Sequence, residues 1–313
     1  MPKNRPLISI ISVDYNQLAV TCEMLDSLRL LSYTNIEIIV VDNASKVDPT
    51  AHLQEHYPEA KVIRSEENLG FAGGNNLAIV ESKGEYLFFV NNDTELTPNI
   101  IEPLLTLFDE IPTLGIVCPK ICYHPSTNNS KVDLIQYMGS TEVSPYTARN
   151  KTLGEMEEDQ QQYTGARPTA YAHGAAMMIT RSAIEQVGLM PEDFFLYYEE
   201  LDWCEQFKRA GYSIYVEPKA KIYHKESVSV GGNMSTLKTH YLTRNRILFM
   251  RRNKTAPQVF LFSLFLIFFT IPKNVFVYLL RGEFQLLKAF WKGIWWHVSN
   301  RSHLPSRKMV ADF

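Results

Sequence analysis

The segment FFVNNDTELTP, Phe88 to Pro98, sets a greasy strand directly against a polar end. Tyr86-Leu87-Phe88-Phe89-Val90 is an apolar run of strand length, and Asn91-Asn92-Asp93-Thr94-Glu95 follows with no spacer. Unbroken apolar runs of this length belong to strands covered on both faces. A plain turn would account for the polar residues, because Asn and Asp bond their own backbone. A carboxylate just past a buried strand can also hold a hard divalent cation against substrate phosphate.

The chain on either side repeats the pattern. Leu7 to Val13 and Ile36 to Val41 are further apolar strands, the second ending in Asp42-Asn43-Ala44-Ser45. Leu18, Cys22, Leu25 and Leu28 recur at helical spacing between them. A polar helix, a short strand near Lys61 to Arg64, a helix over Gly73 to Ser82 and a helix over Pro98 to Glu110 complete the alternation. This spacing predicts an α/β fold, a mostly parallel sheet with helices on both faces. Ligands of such sheets bind beyond the carboxyl ends of the strands, where Asp42 and Asn91 to Glu95 would lie.

After Tyr123 the pattern loosens. Residues 124 to 170 are polar and read as a mobile insertion on the acceptor side. Order returns at His173, with a helix over Glu199 to Ala210 and two short strands, Ser213 to Val216 and Ala220 to Tyr223. The tail differs in kind. VFLFSLFLIFFTI, Val259 to Ile271, is shorter than the ~20 residues a straight bilayer crossing needs, and Pro272-Lys273-Asn274 is expected to break it. That predicts a helical pair dipping into one leaflet, with Trp291, Trp295 and Trp296 at headgroup level. Arg244, Arg246, Arg251, Arg252 and Lys254 would face anionic lipid. The expected division is a catalytic domain over 1–232 and a membrane-associating helical region over 233–313.

Composition narrows the classes. A net charge of -3 gives no global basic field for nucleic acid. Four cysteines without CxxC spacing read as free thiols of a reducing compartment. The N-terminus carries no charged-then-apolar leader pattern, which predicts a chain that starts in the cytosol.

Three more stretches could carry chemistry. NLGFAGGNN, Asn68 to Asn76, has glycines that let backbone approach a ligand, although glycine-rich helix starts are common without one. FFLYYEELDWCEQFKRAGY, Phe194 to Tyr212, crowds Glu199, Glu200 and Asp202 at a helix start, where the helix dipole alone favours acids. At ~100° per residue, Trp203, Cys204 and Phe207 share the face of Glu200, while Glu199 and Asp202 sit to one side. A carboxylate on a buried face gains proton affinity, which suits a general base. His224 ends a strand, and lone histidines like it and His173 are more often structural than metal ligands.

The order of ISIISVDYN (8–16), IEIIVVDNAS (36–45), NLGFAGGNN, FFVNNDTEL, HGAAMMITRSAIEQVG (173–188) and FFLYYEELDWCEQFKRAGY resembles the family 2 glycosyltransferases of the GT-A fold. The likeness is greatest to the rhamnosyltransferase-like members that build bacterial surface polysaccharides. It covers roughly Leu7 to Gly232. The resemblance implies that Asp42 hydrogen-bonds the nucleotide base and that Asn68, Gly70 and Gly73 lie along the nucleotide. It implies that Asn92 and Asp93 form a degenerate DxD element, Asp93 holding Mg²⁺ or Mn²⁺ with His224 as a further ligand. Glu200 stands where the family more often has an Asp general base; Glu199 and Asp202 are its rivals. The implied activity is inverting transfer of a sugar, such as rhamnose, from a dTDP- or UDP-sugar to a glycan or lipid-linked acceptor. The implied location is the cytoplasmic side of the membrane, peripheral or monotopic.

Two other readings remain on residues alone. A nicotinamide-dependent oxidoreductase would use a similar sheet, but no GxGxxG follows the first strand. A non-catalytic membrane-associated scaffold would tolerate the degenerate Asn91-Asn92-Asp93.

Overall fold

A computed structural model describes residues 5–128, 132–225 and 235–300. The expected domain boundary at 232/233 lies outside the described residues. Strands and helices alternate through β1 (Ile8–Asp14), α1 (Leu18–Leu28), β2 (Ile36–Asp42), α2 (Thr50–His56), β3 (Ala60–Arg64), α3 (Gly70–Glu81) and β4 (Tyr86–Val90). Then come β5 (Thr94–Leu96), α4 (Ile101–Glu110) and β6 (Leu114–Tyr123). The polar stretch that follows carries α5 (Pro125–Asn128), β7 (Ile135–Tyr137) and β8 (Arg167–Pro168). Ile135, Tyr137 and Met138 are buried, so this segment is packed against β6 rather than loose. β9 (Ala176–Thr180), α6 (Arg181–Val187), α7 (Glu199–Arg209) and β10 (Ser213–His224) complete the sheet and its cover. The two short strands expected at 213–216 and 220–223 are one strand, β10, with an irregularity between Glu217 and Lys221.

The main path of the sheet runs β3-β2-β1-β4-β9-β6-β10-β5. β1 to β4 are parallel neighbours, while β9 runs antiparallel to β4 and β6, so the sheet is mixed. This topology gathers chain from distant positions at one edge. β4 stops at Val90 opposite Ala176, which sets His173, Gly174 and Ala175 beside Asn91. β5 pairs antiparallel with β10, Thr94 opposite His224, so Asp93 meets the end of the last long strand.

Trp203 anchors α7 over the sheet. Its indole packs edge-on to Phe89 (5.7 Å) and Phe207 (5.3 Å), and its N–H donates to the Gly188 carbonyl at 3.0 Å. Truncating so large a buried ring costs roughly 3–5 kcal/mol, and this anchor fixes where the acids of α7 stand.

The tail is α8 (Thr236–Asn253), α9 (Ala256–Phe265), a π-turn over Leu266–Thr270, α10 (Ile271–Leu280) and α11 (Phe284–Ser299). The expected break at Pro272 does not occur. The Ile271 N–H bonds the Leu266 carbonyl through the π-turn, and Pro272 then sits in the first turn of the next helical segment, where its missing N–H costs little. Ala256–Leu280 is thus one helix of 25 residues, and an 18-residue stretch of it has mean hydropathy 2.0 and is only 11% buried. At 1.5 Å per residue it is roughly 37 Å long, enough to cross a bilayer by length.

Its inner face packs on the body through Phe262, Leu266, Thr270 and Tyr278. The Gly293 position lets α11 lie close to α8; a Cβ there would meet the His240 carbonyl at 2.8 Å. The basic residues expected to face lipid are mostly engaged within the protein. Arg244 stacks on Trp296 at 4.3 Å, Arg251 contacts His297, Arg252 pairs with Asp193 and Asp202, and Lys254 pairs with Glu205. Trp291 and Trp295 are exposed, as headgroup anchors would be; Trp296 is packed.

Candidate active site

A cleft of about 390 Å³ opens over the carboxyl ends of β1, β2 and β4. Asn68, Gly70, Asn92, Asp93, Glu199, Glu200 and His224 all line it. Asp42, Gly73 and Asp202 do not.

The first end of the cleft is a pair. Gln136 Oε1 lies 2.8 Å from His224 Nδ1. A carbonyl oxygen only accepts, so Nδ1 carries a proton and Nε2 is the nitrogen turned to the cleft. That Nε2 faces Asp93 Oδ1 at 3.1 Å, yet Asp93 Oδ1 is buried with no hydrogen-bond donor. A ring nitrogen and a carboxylate oxygen this close are joined by a proton, as in an ion pair, or by a cation. An octahedral Mg²⁺ with arms of ~2.1 Å has ligand–ligand edges of roughly 3 Å, so the pair fits one edge of such an ion. Among the described residues no three His, Cys, Asp or Glu side chains converge on one point. The remaining positions would fall to water and substrate oxygens, as is usual for Mg²⁺. His173, whose ring centroid is 6.0 Å from that of His224, is pushed down to about 3 by burial and forms a neutral wall.

The second end is acidic. Phe195, Tyr197 and Tyr198 precede α7 with φ of 63°, 70° and 78°. Such left-handed non-glycine residues cost of order 1 kcal/mol or more each and persist only where surroundings hold them. Asn245 of α8 holds them: its side-chain nitrogen lies 2.8 Å from the carbonyls of Phe194, Leu196 and Tyr197. Gly70 closes the other side, with φ +72° and no room for a Cβ against the Phe195 carbonyl, which accepts from Phe71 N. The strained turn delivers Glu199 and Glu200 into the cleft. Each has a buried Oε2 with no partner. Burial pushes the Glu200 carboxyl up to about 7, and burial together with the Glu200 charge pushes Glu199 well above the usual carboxylate range.

Asp202 faces the other way. It is fully buried and accepts from Arg252, Asn253 and Gln206. The expected placement, Glu200 on the apolar face with Glu199 and Asp202 to one side, is corrected: Glu199 and Asp202 are buried and Glu200 is half-buried, and α8 covers the flank of Asp202 that helical geometry alone left open. Asp42 is also fully buried, paired with Arg64 and accepting from Ser45 N, so its oxygens point into protein. Gly73 is a packing glycine, since a Cβ would meet Leu69 Cβ at 2.6 Å. Asn68 accepts from Gly70 N and Asn43, and Asn92 donates to Asp14 and Thr21. Sequence reasoning missed Gln136, Asn43, Asp14, Asn245 and Lys238. Asn43 and Asp14 stand at strand ends and could have been found by position; Gln136 and Asn245 gave no local signal.

A mixed α/β sheet with this cleft has the GT-A fold of glycosyltransferases. Its solved neighbours include GalNAc-T7 with UDP, GalNAc and Mn²⁺ (TM-score 0.64, 15% identity, 79% of this chain and 48% of that one). Another is a Pyrobaculum calidifontis mannosyltransferase in complex with GDP-Man and Mn²⁺ (TM-score 0.55, 16% identity, 96% of this chain and 77% of that one). The chain belongs to glycosyl transferase family 2, whose family model matches residues 9–188. Similar curated proteins include a low-salt glycan biosynthesis hexosyltransferase, Agl10, of Haloferax volcanii, 27% identical over 68% of this chain and 66% of its own length. A second is the N-acetylglucosaminyl-diphospho-decaprenol L-rhamnosyltransferase of Mycobacterium tuberculosis, 24% identical over 72% of this chain and 78% of its own.

Proposed function

We propose that this chain is an inverting glycosyltransferase that moves a sugar from a dTDP- or UDP-sugar to a hydroxyl of a lipid-linked glycan at the cytoplasmic face of a membrane. One observation carries the reading. Among the described residues, the buried carboxylate oxygens without a hydrogen-bond partner are those of Asp93, whose only polar neighbour is His224 Nε2 at 3.1 Å, Glu199 and Glu200, and all three acids line one cleft. Folding leaves such atoms unsatisfied at a cost of roughly 1–3 kcal/mol each or more, which a ligand can return.

Asp93 and His224 would hold Mg²⁺ or Mn²⁺, with Gln136 fixing the histidine tautomer. Such an ion supplies positive charge against the donor diphosphate as the nucleotide departs. Tyr15, exposed at the cleft, offers a ring for the base. Glu200 takes the proton of the acceptor hydroxyl while that oxygen bonds the anomeric carbon. The carbon–oxygen bond to the diphosphate breaks, and its electron pair leaves with the nucleotide. A base raised to about 7 is half-ionised near neutrality and matched to this task. Burial, and after it the Glu200 charge, raises the proton affinity of Glu199 beside it, so the pair disfavours ionising both carboxyls at once.

Membrane contact fits the tail. The helix Ala256–Leu280 rests its inner face on α8 and α11, while Phe260, Phe268, Phe276 and Leu280 of its outer face are more than 60% exposed. A helix docked along its length on a soluble body lies in the interface more readily than it crosses.

The test is a thermal-unfolding screen of dTDP-, UDP- and GDP-sugars with and without Mn²⁺, followed by transfer to a lipid-linked acceptor and anomeric analysis of the product. A metal-dependent rise in melting temperature and an inverted product are expected. A retained anomer sinks the single-displacement route. Absence of both donor hydrolysis and transfer would leave the scaffold reading.

A further inference from the structure

A second cavity, about 440 Å³, lies between α8, the tail helix and α11. Arg149, Lys238, Arg246 and Lys273 line it, and no acid does. Its other walls include Leu242, Phe265, Phe269 and Phe290. Four cations gathered without an acid make a locally positive wall that attracts an anion. The contrast with their neighbours is sharp. Arg252 and Lys254, on the same stretch of chain, are paired with Asp193, Asp202 and Glu205. Among the described residues none of the four cavity cations has an ion-pair partner; Arg246 makes only a long 3.4 Å contact to the Tyr198 hydroxyl.

The cavity combines two chemistries that rarely meet. Guanidinium and ammonium groups match phosphate oxygens. Part of the apolar wall, Phe265 and Phe269, belongs to the helix Ala256–Leu280 whose outer face is fit for lipid, and Phe269 is itself 65% exposed. Arg149 bridges the two, its guanidinium 5.9 Å from the Phe265 ring centroid. The cavity also adjoins the catalytic cleft. Lys238 lines both, and Arg246 reaches Tyr198, the residue before Glu199.

We propose that this cavity binds the phosphate headgroup and first lipid units of the acceptor, an isoprenyl-type phosphate or diphosphate, and so presents the attached sugar to Glu200. The assignment of the acceptor rests on the transferase reading above; the anionic-amphiphile site does not. Arg149 and Lys273 would clamp the headgroup from opposite sides of the cavity, one from the insertion after β7 and one from the tail. Phe269 would pack the chain.

Calorimetric titration of the full chain in nonionic detergent, with chelator present, tests this. The probes are farnesyl diphosphate, inorganic diphosphate and farnesol. Farnesyl diphosphate should bind at least ~10-fold more tightly than either other probe, since each lacks half of the recognition. Arg149→Ala and Lys273→Ala, both exposed positions, should each weaken it by roughly 10-fold or more. Asp93→Ala should leave it unchanged. Equal affinity for inorganic diphosphate, unchanged binding in both cation variants, or loss in Asp93→Ala each overturns the proposal. With a lipid-linked acceptor, the same two variants should raise the acceptor KM and spare the donor KM. Full activity of Glu200→Gln would break the catalytic reading while leaving the binding result intact, so the two fail separately.

Discussion

The first turn of α7 presents acids to two regions that treat them oppositely. On the α8 side Asp202 accepts from Arg252, Asn253 and Gln206, and neither oxygen is spare. On the cleft side Glu199 and Glu200 each keep a buried oxygen without a partner. The same division separates Asp42, committed to Arg64 and Ser45, from Asp93, whose Oδ1 has no donor. An acid at a strand or helix end is therefore not read by position. It is read by whether the fold has satisfied it, and the unsatisfied ones share a single cleft.

The largest expected effect breaks the comparison on the cleft side. Glu200→Gln keeps the shape and removes the base, so kcat should fall ~10²–10⁴-fold with donor affinity little changed and the melting temperature not lowered. If Glu199→Gln is the inactive variant instead, the roles within the pair are reversed. On the opposite flank, Asp202→Ala removes the shared acceptor of Arg252, Asn253 and Gln206 and leaves Arg252 only its Asp193 partner, which should lower stability by roughly 1–3 kcal/mol, with turnover of the remaining folded enzyme largely kept. A dead but fully stable Asp202→Ala protein would erase the distinction between the two flanks. At the strand ends, Asp93→Ala should cut Mn²⁺-dependent donor affinity by at least ~10-fold, seen by calorimetry with and without chelator. Unaltered metal dependence would remove Asp93 from the site.

Much of the framework was legible because short apolar runs and turn residues are local signals. β1, β2, β4 and the Asp93 edge follow from them, and so does the α7 helix start. What was not legible depends on partners far along the chain. Gln136 sits in a polar stretch with no periodicity, yet it fixes His224 from 88 residues away. Asp202 looked like a rival base because helical geometry knows nothing of Arg252, which is 50 residues downstream. Asn245 carries no motif, and its meaning appears only once three carbonyls of the strained turn before α7 converge on it. Pro272 reads as a breaker because a π-turn has no sequence signature as strong as proline.

The smallest effect sharpens the comparison through pH. Glu200 has its folded pKa raised from 4.5 to about 7 and Glu199 is raised as well, both chiefly by burial. A folded-state pKa above the unfolded value means the native protein keeps a proton the unfolded chain has shed. The Glu200 contribution to stability is thus fully present below pH ~4.5 and is lost as pH rises through about 7. Allowing for partial exposure, that loss is on the order of 1–2 kcal/mol. Buried His173 and His297, held neutral at about 3 and about 4, pull the other way below pH ~6.5, so the wild-type curve alone is mixed. The difference between wild type and Glu200→Gln cancels the histidines. Between pH 5 and 8 the variant should gain stability relative to wild type, measured by urea midpoints at each pH. Over the same interval wild-type kcat/KM should rise with a limb near pH 7, as Glu200 ionises into its working form. Stability falling where activity rises is the signature of a carboxylate kept unsatisfied for use; parallel slopes in the two proteins would mean that Glu200 does not titrate in that window.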